Sequence, residues 1–169
     1  MDPVVISTLR LNLVLQTPAE VIAMIEAMPP EDRAEVSPQW LQRVRATPAG
    51  DPWALAFRVV ARDGGSVVGS CAFKGPPDAQ GMVEVAYGID PEHRGRGYAT
   101  EATAALTAFA LADDRVRFVR AHAKPDNAAS NRVLAKCGFA QIGETIDRED
   151  GRVYRWERTR AEKSPVSQL

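Results

Sequence analysis

The densest run of chemistry-bearing residues lies between Val83 and Ala99. In an extended chain, side chains alternate, so Val83, Val85, Tyr87 and Ile89 share one face while Glu84, Ala86 and Gly88 share the other. The second face sets a single carboxylate beside two very small residues, where a ligand can approach the backbone closely. Glu84 reads in two ways there, as a proton acceptor or as a solvent-facing glutamate. The strand ends at Asp90-Pro91, and Arg94-Gly95-Arg96-Gly97-Tyr98-Ala99 then opens a helix. Glycines at such a junction let the chain turn sharply and expose its amides. The first N–H groups of a helix have no partner within it and carry partial positive charge. Together these make an anion site suited to phosphate, with Arg94 and Arg96 adding charge.

One reading of that turn is a dinucleotide fingerprint. Gly95-x-Gly97-x-x-Thr100 approaches it, and Asp113 or Asp114 lies at about the distance of a ribose contact. Thr100 replaces the third glycine, however, and both aspartates fall at the end of the helix instead of at the tip of the next strand. The turn also follows hairpin-like strands, not a repeated parallel unit. A nicotinamide dehydrogenase is therefore disfavoured.

The elements that must position this segment follow from periodicity and breakers. Leu9 to Gln16 alternates and predicts a strand. Thr17-Pro18 opens a helix bearing Val21, Ile22, Ile25 and Met28, which Pro29-Pro30 stops. A more polar helical stretch runs from Glu31 to Ala46, interrupted near Pro38. Ala54 to Ala61 and Val67 to Lys74 form a hairpin around Asp63-Gly64-Gly65, and Met82 to Ile89 is a third strand. A helix covers Gly97 to Ala112, a strand Val116 to Ala123, a helix Asn127 to Lys136, and strands Phe139 to Ile146 and Arg152 to Glu157. The sum is one mixed α/β domain over residues 1–160, with about seven strands and about four helices, and a polar tail over residues 161–169.

Bulk properties narrow the function class. Hydrophobic residues make up 45% and charged residues 25% of the 169, as expected for a folded globular chain. The net charge of −1 gives no footprint for nucleic acid or a membrane surface. Two cysteines, Cys71 and Cys137, are too few for a disulfide framework, and with two histidines a zinc site is not expected. No basic region precedes an apolar stretch at the start, so a cytoplasmic location is expected.

Arg94-Gly95-Arg96-Gly97-Tyr98-Ala99 also satisfies, at every fixed position, the acyl-CoA loop Arg/Gln-x-x-Gly-x-Gly/Ala. Here the chain resembles the GNAT superfamily of N-acetyltransferases, in particular the branch containing the ribosomal-protein alanine acetyltransferases. A second block, Asn127-Ala128-Ala129-Ser130 leading to Gly138-Phe139, is similar to that branch's Asn-x-x-Ser helix, and Thr8-Leu9-Arg10-Leu11 looks like its opening strand. The resemblance implies acetyl-CoA as cosubstrate and acetyl transfer to a primary amine by direct attack. It implies pyrophosphate on the backbone amides of Arg96 to Ala99, with Arg94, Gly95 and Thr100 beside them. It further implies pantetheine along Tyr87, Gly88 and Ile89, in a V between the Met82–Ile89 and Val116–Ala123 strands.

The resemblance assigns Glu84 as general base, acting directly or through water. Many relatives place an acidic tyrosine four residues before Gly-Phe, but here that position is Leu134. The branch uses the earlier serine instead, which makes Ser130 the acid for the departing thiolate. Asn127 holds pantetheine or serves as a plain helix cap, and the two roles can coexist. Cys137 and Cys71 read as packed thiols, His93 as a surface residue, and His122 as a residue near the cleft. Trp53, Tyr87 and Trp156 either shape the acceptor pocket or simply pack. The acceptor amine, peptide or small molecule, is not legible, since Ala19 to Trp53 carries no readable motif. Homodimers are common in the family, but no residue specifies one. A GNAT-fold module that binds acyl-CoA without catalysis is the alternative.

Overall fold

The computed structural model describes residues 2–160, so the tail expected over 161–169 lies outside the described residues. Eight strands form one sheet in the order β1-β2-β3-β4-β5-β6-β8-β7. They are β1 Val5–Ser7, β2 Leu11–Leu15, β3 Phe57–Ala61, β4 Val67–Phe73, β5 Met82–Ile89, β6 Phe118–Ala123, β7 Ala140–Asp147 and β8 Gly151–Thr159. Five α-helices accompany them: α1 Pro18–Glu26, α2 Pro30–Ala34, α3 Pro38–Ala46, α4 Tyr98–Leu111 and α5 Ala128–Lys136, with a 3₁₀ turn at Pro91–His93.

One difference from the sequence expectation has a local cause. The stretch Leu9 to Gln16 is not one strand. Thr8 receives Leu11 N–H on its hydroxyl and donates its own N–H to Leu11 O, which folds residues 8–11 into a turn. Leu9 sits at the tip, 87% exposed, and Val5 to Ser7 returns as an extra edge strand. The polar helical stretch is interrupted near Pro38, as expected, because Ser37 caps a new helix there by accepting Trp40 N–H.

Alternation holds in the sheet. Leu11, Leu13 and Leu15 of β2, Phe57, Val59 and Ala61 of β3, and Val83, Val85 and Ile89 of β5 are all buried. They face α4, whose Ala102, Leu106 and Ala110 are at most 1% exposed and let the helix lie close to the sheet. Trp53, Phe57, Phe73 and Phe109 interlock there, with Trp53 and Phe73 centroids 4.7 Å apart. Trp53 is thus committed to packing. Val21 and Ile25 of α1 and Val44 of α3 join the same cluster. No helix among the described residues is long and apolar enough to cross a membrane.

One junction is unlike the rest. All neighbouring strands run antiparallel except β5 and β6, which are parallel and register for only three pairs, Met82↔Phe118, Val83↔Val119 and Glu84↔Arg120. Beyond Glu84, β5 pairs only with β4, and β6 beyond Arg120 pairs only with β8. The two strands therefore diverge into a V with Glu84 at its apex.

Leu106 is fully buried at the centre of α4. Leu106→Ala should cost about 2–5 kcal/mol by lost burial and cavity formation, read as a lowered urea midpoint.

Candidate active site

Backbone alternation determines what the V offers. Lys74 donates its N–H to Glu84 O, and Asp90 donates to Val68 O, so even-numbered residues of β5 turn their polar groups towards β4. The odd-numbered residues turn theirs towards β6, and those of Tyr87, beyond the last registered pair, meet no strand there. These are unpaired strand groups of the kind an extended ligand can complete.

Past β5 the chain turns through Gly95 and Gly97, both at positive φ (77° and 81°). Gly97 occupies the N-cap of α4 but supplies no side-chain cap. By contrast, Thr17 caps α1, Ser37 caps α3 and Asn127 caps α5. The first backbone bond of α4 is Glu101 N to Gly97 O, so the amides of Tyr98, Ala99 and Thr100 are left open. A cavity of about 540 Å³ begins at these amides. It is walled by Tyr87, Gly88 and Ile89 of β5, by Arg94, Gly95 and Gly97 of the turn, and by Tyr98, Ala99 and Thr100 of α4. Asn127 and Ser130 close it from α5. Every cofactor-side residue expected from the sequence lines this cavity except Arg96, which is exposed and whose carbonyl instead accepts from Arg10 Nη1 at 2.8 Å.

Three cationic or polar groups at the cavity were missed. Arg132 and Lys136, one helical turn apart on α5, line it, and His93 does too. Arg94, Arg132 and Lys136 form no ion pair among the described residues, and His93 Nδ1 is buried without a partner. The spacing of Arg132 and Lys136 on a helix opening at Asn127 was the available signal. Open amides with unpaired cations suit a phosphate-bearing ligand such as coenzyme A.

The turn is held from a distance. Arg10 bonds Arg96 O, pairs with Glu101 Oε1 at 2.8 Å, and lies 4.9 Å over the Tyr98 ring. Glu101 also accepts from the Thr8 hydroxyl and from Arg10 N–H. Burial raises its carboxyl, but the Thr8 and Arg10 bonds outweigh that and hold it below the ordinary 4.5.

Glu84 and Ser130 do not meet, because they belong to opposite faces. Ser130 Oγ lies 2.8 Å from the Tyr87 hydroxyl on the helical face of β5. Burial pushes the Tyr87 phenol up despite the Ser130 bond, so it keeps its proton at neutral pH. Ser130 N–H donates to Asn127 Oδ1 at 3.0 Å, which gives Asn127 its capping role. Glu84 is on the other face. Its Oε1 contacts His122 Nδ1 from the opposite arm of the V, and its Oε2 is 3.4 Å from Lys74 Nζ. A recess of about 160 Å³, lined by Lys74, Pro76, Met82 and Glu84 among others, opens beside it. Trp156 donates its indole N–H to Asn131 Oδ1 and so is tied to α5.

An open helix N-terminus facing a cavity, beside a strand that has lost its neighbour, makes a site suited to an extended anionic ligand. Residues 9–140 match the family model described as Acetyltransferase (GNAT) domain, and the chain belongs to that family. It is 33% identical over 99 residues to the protein named Uncharacterized N-acetyltransferase YjdG of Bacillus subtilis (strain 168), covering 59% of this chain and 56% of that protein. The match spans about half the length of the curated relatives. Among solved structures, a ribosomal-protein-S5-alanine acetyltransferase from Vibrio fischeri superposes with TM-score 0.71 at 16% identity, over 96% of this chain and 100% of that one. A spermidine N-acetyltransferase chimera (Vibrio cholerae and human) gives 0.69 at 15%, over 89% and 95%. At such identities the likeness shows the fold.

The Glu101 anchor has a pH signature. Because its folded value is depressed, its stabilisation is present above 4.5 and is lost as pH falls through the folded value. Urea unfolding should show wild type more stable than Glu101→Gln at neutral pH, with the difference shrinking on acidification to about pH 3.

Proposed function

We propose that the chain transfers the acetyl group of acetyl-CoA to a primary amine, with both substrates bound together and no acyl-enzyme formed. The observation that carries this is the uncapped N-terminus of α4 opening on a cavity walled by the end of β5 and by α5. Pyrophosphate fits the amides of Tyr98 to Thr100, and the cations Arg94, Arg132 and Lys136 suit the remaining phosphate charge. The pantetheine amides suit the unpaired backbone of Tyr87. Acetyl-CoA supplies the activated thioester.

Residue roles follow from the two faces. Glu84 belongs to the centre that removes the ammonium proton, directly or through an intermediary, since an amine of ordinary pKa about 10 is mostly protonated at neutral pH. Ser130 gives a proton to the departing thiolate, with the Tyr87 hydroxyl donating to Ser130 Oγ so that the serine proton is free to leave. The acceptor amine enters on the face bearing the 160 Å³ recess. Its class spans peptide N-termini and small amines: neighbouring structures are named for ribosomal proteins, spermidine and aminoglycosides. Residues 1–160 act as one catalytic unit in the cytoplasm. The family match and these neighbours favour catalysis over a binding-only module.

Calorimetry with acetyl-CoA tests the reading. Wild type should bind at roughly micromolar Kd. Gly97→Trp should abolish binding, since any Cβ at its positive φ meets Arg10 Nη2 at 3.2 Å. Absence of wild-type binding would end the proposal. For the acid, Ser130→Ala should lower kcat by roughly 10–100-fold with little change in acetyl-CoA affinity, measured by thiol release with an amine that wild type turns over.

A further inference from the structure

The contact between Glu84 and His122 joins the two arms of the V on its open face. Both residues are largely shielded, with side chains 17% and 21% exposed. Each Glu84 oxygen is already engaged, Oε1 by His122 Nδ1 and Oε2 by the Lys74 ammonium. Neither Glu84 oxygen is without a partner, so an incoming ammonium would have to share it. The imidazole does have a free atom, because no group among the described residues bonds its Nε2. An ionised carboxylate accepts only, so Glu84 holds the proton on Nδ1 and leaves a lone pair on Nε2.

We propose that His122 is the catalytic base, taking the acceptor's proton at Nε2, and that Glu84 is the positioning residue that fixes its tautomer and orientation. This rests on the acetyl-transfer reading above. An ammonium R–NH₃⁺ gives one proton to His122 Nε2, and the freed amine attacks the acetyl carbonyl carbon. The C–N bond forms and the C–S bond breaks, its electron pair leaving on sulfur. Sulfur takes the Ser130 hydroxyl proton, the second proton shed by nitrogen passes to water, water reprotonates Ser130, and His122 returns its proton to water, so one proton is released per turnover. Charged groups facing His122 are Glu84 from β5, Lys74 at the end of β4, Arg155 directly opposite it on β8, and Asp147 at the end of β7.

Two measurements decide it. The chain has only two histidines, so ¹⁵N imidazole spectra are assignable with His93→Gln. At neutral pH, His122 should be the Nδ1–H tautomer, and Glu84→Gln should lose that preference. Kinetics would use acetyl-CoA with whichever of an alkylamine, a polyamine or an alanine-initiated peptide wild type turns over. His122→Gln should lower kcat roughly 100-fold and remove the acid limb of the kcat–pH profile. Its KM for acetyl-CoA should stay within about twofold. Glu84→Gln should lose less, about 10-fold, and keep a shifted acid limb. An Nε2–H tautomer, or His122→Gln retaining kcat within about threefold, would overturn the assignment and return the proton to Glu84. Failure of wild type to bind acetyl-CoA or to turn over any of the amines would overturn the transfer reading, and this assignment with it.

Discussion

A sheet normally satisfies its backbone by continuing its ladder, and the organisation of this protein depends on one ladder that stops. β5 and β6 keep three registered pairs and then part, leaving the polar groups of Tyr87 without a strand partner. Unpaired backbone inside a fold must find water or a ligand. The outer ladders remain intact on each side, five pairs with β4 and six with β8, so the arms stay rigid while the space between them is free. The gap is thus a slot in a stiff sheet, and it connects the face that carries α4 and α5 to the face that carries Glu84.

A slot without hydrogen bonds across it needs something else to fix its width, and side chains do this. Tyr87 reaches from β5 to Ser130 on α5. Glu84 reaches from β5 to His122 on β6. A third link fixes the turn at the wide end, where Arg10 grips Arg96 O and Glu101 together. The Arg10 ion pair is partly exposed, 44% and 20% for its side chains, so its main effect is positional rather than a large contribution to stability. It holds two adjacent positive-φ glycine positions in one shape, and the amides of α4 are oriented as a result.

The same distinction explains what the sequence reveals. The Arg94–Ala99 turn, the Asn127 cap and the alternation of β5 are local patterns, visible because spacing alone produces them. The element order was readable for the same reason, apart from the Thr8 turn, whose side-chain bond to Leu11 breaks an otherwise continuous alternation. The links that shape the site are not local. Arg10 and Glu101 are 91 residues apart, Tyr87 and Ser130 43, and Glu84 and His122 38. Nothing in a linear pattern pairs them, so from sequence Arg10 reads as a strand residue, Tyr87 as a lining residue, and His122 as a residue near the cleft with no partner named. Arg132 and Lys136 were legible in principle, as cations one turn apart on a helix beginning at the cavity.

The Glu84–His122 contact and Ser130 lie on opposite faces, and the nucleophiles near them bear on the kinds of transfer the proposed site can perform. A covalent relay would need a nucleophile in the slot, and thiols are the strongest candidates the chain contains. Cys71 packs inside β4, where burial pushes its thiol up to about 12. Cys137 is likewise raised by burial, with Arg158 only partly opposing it, and its Sγ is directed to Thr100 O. A thiol kept protonated is a poor nucleophile. Ser130 has no base beside it, since its neighbour Tyr87 also keeps its proton. With no activated thiol or serine among the described residues, the proposed reading leaves the protein orientation and proton traffic, and has the amine itself make the bond. The two-faced slot suits that chemistry, because the amine loses its proton on one side while the thiolate gains one on the other.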